Sequence, residues 1–146
     1  MGMNANAYTT AWPTDSVARP TSRKILVVDD DPAMVRLLRE FLEGEGYSVS
    51  CALDGQVALR LVHEHSFDLI IMDVNMPVTN GLQVLERLRA SADTARIPVI
   101  LVTGEPSGLV YPAVANDPRA AHVKKPVDLE SFNSVIQFFL QRYSLA

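Results

Sequence analysis

Cysteine is nearly missing from this chain. Cys51 stands alone among 146 residues, so no internal disulfide can form, and a reducing cytosol suits such a sequence. No apolar run approaches the ~20 residues that a membrane span needs. Basic residues are in deficit, 13 Lys and Arg against 17 Asp and Glu. A net charge of −4 argues against a nucleic-acid-binding surface, which should be basic. Residues 1–23 lack an apolar stretch, so no signal peptide is expected there. Gly2 is present, but Asn6 occupies the place where a myristoylation signal wants Ser or Thr. The same residues show no hydrophobic period, and they contain Trp12, the sole tryptophan. They read as a disordered or loosely docked tail. Residues 24–146 read as one folded domain, with the 48% hydrophobic content of the chain enough for a core.

What is present is a repeated alternation. KILVV at 24–28 is a short apolar run ending in acids. Met34, Leu37, Leu38, Phe41 and Leu42 then recur at helical spacing, and Gly44 and Gly46 end that helix. Tyr47–Ala52 alternates as a strand, and Asp54 caps a helix with Ala58, Leu61, Val62 and His65 on one face. Leu69–Met72 is a third strand, Gly81–Ala90 a helix, and Pro98–Thr103 a fourth strand. His122–Lys124 is a brief fifth strand. Asp128 caps a last helix with Phe132, Val135, Ile136, Phe139 and Leu140 on one stripe, and Phe138 off it. Strands apolar on both faces and alternating with helices predict an α/β fold, a doubly wound five-stranded parallel sheet with helices on both faces. Right-handed crossovers bring the C-terminal ends of all strands to one edge, where ligands bind in open sheets.

That edge collects chemistry. Strand one delivers Asp29, Asp30 and Asp31, strand three Asp73, strand four Thr103, and strand five Lys125 and Pro126. Two like charges 4 Å apart cost roughly 4 kcal/mol at an effective dielectric near 20, which a divalent cation relieves. Oxygen-only ligands with open positions favour Mg²⁺. Lys125 suits a phosphoryl oxygen as a point charge, and Thr103 can hydrogen-bond another. Asp73 is then the nucleophile, already ionised at pH 7 and in no need of a general base.

At these residues the sequence resembles a receiver domain of two-component response regulators. The matching pieces are VVDDDP at 27–32, MDVNMPVTNG at 72–81, VTGE at 102–105 and KKP at 124–126. The resemblance covers about residues 24–143. It implies a flavodoxin-like fold with strand order 2-1-3-4-5. It implies Asp73 as phospho-acceptor, Asp30 as a direct Mg²⁺ ligand, Asp29 acting through water, and the Asn75 backbone carbonyl as a further ligand. Lys125 would pair with the phosphoryl group ahead of a cis Pro126, and Thr103 would be the switch hydroxyl. Asn75 and Glu105 would tune hydrolysis. The chemotaxis regulator of the family carries the same two types, which implies a short phosphoryl lifetime. The resemblance also implies a histidine kinase or histidine phosphotransfer protein as donor, output by protein contact in the cytoplasm, and no enzymatic turnover beyond self-phosphorylation and autodephosphorylation. A dimer through the last strand and helix stays open, as does a stand-alone protein against a piece of a larger one.

Two departures stand out. His122 occupies the position, three before the lysine, where the family has the Tyr or Phe of the switch, so the resemblance implies His122 as a switch residue beside Thr103 and Lys125, its imidazole rotating inward. Residues 105–121 carry Pro106, Gly108, Pro112 and Pro118. Pro112 in a helix interior costs on the order of 3 kcal/mol, so the fourth helix should be short, broken or shifted. Two rivals follow. One is a receiver-like docking scaffold that takes no phosphate. The other is a phosphohydrolase of the haloacid-dehalogenase type, for which Asp29 and Asp31 fit but Ala33 does not.

Overall fold

The computed structural model describes residues 22–104 and 108–143. Ten elements alternate: β1 Lys24–Val28, α1 Pro32–Gly44, β2 Ser48–Ala52, α2 Gly55–Glu64, β3 Leu69–Asp73, α3 Gly81–Ala90, β4 Val99–Thr103, α4 Val110–Ala115, β5 Ala120–Lys124 and α5 Leu129–Arg142. The strands form one sheet in the order β2-β1-β3-β4-β5, and every pairing is parallel. This is the doubly wound order that the resemblance implies.

The sheet explains the apolar runs. All five residues of β3 and of β4 are buried, as are the last four of β1. These central strands have a helical layer on each face. Leu26, Ile70 and Leu101 point toward the layer of α2, α3 and α4. Ile25, Ile71 and Ile100 point toward α1 and α5. Each buried aliphatic side chain of this kind contributes roughly 1.5–3 kcal/mol. The edge strands β2 and β5 are only partly covered.

The helix starts are set by carboxylates. Asp31 accepts from the Ala33 amide, with Pro32 in the first helical position, and Asp54 and Asp128 cap α2 and α5. Asn80 opens α3 through a capping box with Gln83. His65 is not on the α2 stripe: the helix ends at Glu64, and His65 is extended and exposed. β5 is two residues longer than expected, because Ala120 and Ala121 pair with Val99 and Ile100.

The fourth helix has six residues, as its prolines foretold. The mechanism differs from the expectation. Pro112 is the third residue of α4, inside the first turn, where amides lack intrahelical partners and a missing N–H costs nothing. The 1–21 segment with Trp12, together with Glu105 and Pro106, lies outside the described residues.

Candidate functional site

β1 and β3 are neighbours in the sheet, so their C-terminal ends bring Asp29 and Asp73 side by side. Both are buried, whereas Asp30 is exposed. One carboxylate oxygen from each of the three lies within 4.8 Å of the others. Such an all-oxygen cluster fits a hard divalent cation. Its charges are expensive to hold together without one.

Each acid is oriented by local backbone. The Asp31 amide donates to Asp29 Oδ1 at 2.9 Å, and the Asn75 amide reaches Asp73 Oδ1 at 3.4 Å. Lys125 supplies the amine: Nζ lies 3.4 Å from Asp73 Oδ1 and 3.8 Å from Asp29 Oδ2. The Lys125 amide donates to the Thr103 carbonyl at 2.8 Å, which ties the lysine to the end of β4. The Lys125–Pro126 bond is cis. Thr103 is buried at the end of β4, one residue beyond Val102, the register partner of Asp73.

Burial pushes the carboxyl groups of Asp29 and Asp73 above the usual range. Lys125 draws Asp73 part of the way back; the Asp31 amide does the same for Asp29. The site thus holds two carboxylates that pay for their negative charge and favour anything that neutralises it.

Of the residues singled out in the sequence, Asp29, Asp30, Asp73, Thr103 and Lys125 meet at one edge, with Asn75 beside Asp73. Asp31 does not join them, since its side chain caps α1. That removes the second acid of a haloacid-dehalogenase pattern. His122 pairs in register with Leu101 and meets Tyr111 of α4 edge-on, ring centres 5.2 Å apart. Glu105 lies outside the described residues. Sequence reasoning missed Gly81. A Cβ there would stand 2.6 Å from the Asp73 carbonyl oxygen, so only glycine lets α3 start against the strand that carries Asp73. The Asn-Gly pair was the available signal.

The family model for the response regulator receiver domain matches residues 25–137. This chain belongs to the receiver-domain family. Among curated relatives, the probable transcriptional regulator ycf29 of Porphyra purpurea is 33% identical over 126 residues, 85% of this chain and 59% of the relative. The transcriptional regulatory protein CpxR of Escherichia coli is 46% identical over 86 residues, 59% of this chain and 35% of the relative. The chain therefore spans only part of these relatives. Among solved structures, the chemotaxis protein CheY4 of Vibrio cholerae is 29% identical, with a TM-score of 0.76, over 82% of this chain and all of that one. Receiver domains work with histidine kinases or phosphotransfer proteins and bind Mg²⁺ at an acidic site. The acidic cluster of this receiver domain sits where its parallel strands end.

Proposed function

We propose that this receiver domain is a phosphorylation switch that accepts a phosphoryl group on Asp73 from a histidine kinase or histidine phosphotransfer protein in the cytoplasm. One observation carries the reading: Asp73 ends a central strand with Lys125 Nζ 3.4 Å from its carboxylate and two further acids within 4.8 Å.

In the transfer, an Asp73 oxygen attacks phosphorus. The new O–P bond forms as the P–N bond of the donor phosphohistidine breaks, and the imidazole leaves with the electron pair. Asp29, Asp30 and Asp73, with the Asn75 carbonyl, would hold Mg²⁺, which when bound supplies positive charge to the phosphoryl oxygens. Lys125, now paired with Asp73 and Asp29, turns to the incoming group. Thr103 donates its hydroxyl to another phosphoryl oxygen. A phosphorylated side chain carries about −1.5 to −2 charges, against one for the carboxylate it replaces. That added charge draws Lys125 and Thr103 toward residue 73, and output follows by protein contact. Asn75 and Glu105 set how fast water removes the group. The chain turns over no other substrate and binds no nucleic acid itself.

Intact mass after incubation with Mg²⁺ and acetyl phosphate tests this. The expected result is one phosphoryl adduct on the native chain, none with EDTA and none on Asp73→Asn. An unmodified native chain under Mg²⁺ saturation supports the scaffold reading instead.

A further inference from the structure

A groove of about 620 Å³ runs between α3 and α4. Leu82 and Leu85 line it from α3, and Leu109 and Ala113 from the α4 side. α4 has six residues against ten in α3. Leu109 is 74% exposed beside the groove. We propose that residues 1–21 of the same chain dock in this groove, with Trp12 as the anchor.

The described chain begins against α5, in the layer across the sheet from the groove. Arg23 Nη1 donates to the Leu140 carbonyl at 3.1 Å. Three residues further along the chain, the Tyr143 hydroxyl donates to the Pro118 carbonyl at 2.6 Å. Pro118 follows Asp117, whose carboxylate meets Arg89 Nε at 2.7 Å, and both residues of that ion pair line the groove. A continuous line of contacts thus leads from Arg23 to the groove, along the sheet edge opposite the phosphorylation site. Trp12 stands ten positions before Ser22, a reach of up to ~33–36 Å.

The chemistry fits as well. Within residues 1–21 the charged side chains are Asp15 and Arg19, one of each sign, so little charge must leave water. Tyr8, Trp12 and Val17 supply apolar bulk for the leucine walls. The indole N–H has an acceptor on the groove lining in Asn116. Because the segment is tethered, its effective concentration reaches the millimolar range, and a weak contact holds it. Any protein that uses the α3–α4 face must displace it. None of this depends on whether Asp73 accepts phosphate.

Trp12 is the only tryptophan, so its emission reports the docking directly. In the full chain the expected emission is blue-shifted from free indole, shielded from acrylamide and unchanged on dilution. Leu109→Asp with Ala113→Glu should return it to the free position with the circular dichroism intact. A nitroxide on a cysteine replacing exposed Glu86, in a Cys51→Ser background, should quench Trp12 several-fold more than one replacing Glu40 on α1, which lies on the other face. Free-indole emission from the native chain overturns the proposal. So does equal quenching from the two labels. A blue shift lost on dilution overturns it too, because the occupant is then a second copy.

Discussion

Asp73 carries its charge at a cost. Burial raises its pKa, and Lys125 offsets that only in part. An acid whose pKa rises on folding favours the folded state most when protonated, below its unfolded pKa. That contribution is lost as pH climbs through the folded value. Without divalent ions, Asp73→Asn should therefore raise the urea midpoint at neutral pH. The gain should shrink to nothing as pH falls below the ordinary carboxylate range. Urea titrations of both chains across that range check this; a gain that persists in acid contradicts it. Asp29 and Asp73 were legible in the sequence because each directly follows a short apolar run, and Lys125 because it directly precedes Pro126 in the KKP motif; topology brings these strand ends together. Tyr111 as the neighbour of His122 was not legible, because that contact depends on where a six-residue helix settles.

At the scale of elements, α3 starts against the backbone of Asp73. Gly81→Ala pushes a Cβ toward that carbonyl, with backbone rather than a flexible side chain in the way. Overpacking of this kind should cost about 1–3 kcal/mol, read as a lower urea midpoint at unchanged slope. A neutral result would mean that the loop yields freely. Pro112 was read as a helix breaker because the sequence does not say where α4 begins. Starting at Val110, the helix takes the proline in its first turn. Pro112→Ala should then lose about 0.4–1 kcal/mol through a freer unfolded chain, instead of recovering the ~3 kcal/mol of a relieved interior proline. The same urea measurement separates the two signs. Ala120 and Ala121 escaped the strand reading because alanine has low strand preference, and pairing with β4 overrides it.

Across the whole molecule, the order β2-β1-β3-β4-β5 places β1, β3 and β4 at the centre. An acidic cluster is thus built on its most buried strands. Ligand binding there should stabilise the entire fold. Mg²⁺ at 100 times its dissociation constant should add about 2.7 kcal/mol to unfolding, and Asp30→Asn should remove most of that gain. Thermal unfolding with and without Mg²⁺ measures both. Equal shifts in the two chains would place the ion elsewhere. The central claim is that the phosphoryl group goes to Asp73. Borohydride reduces an acyl phosphate to the alcohol, so a phosphorylated aspartate becomes homoserine. After Mg²⁺ and acetyl phosphate, peptide mass spectrometry of the reduced chain should find homoserine at position 73 alone. Homoserine at position 29 or 30, or unchanged aspartate at 73, would contradict the account.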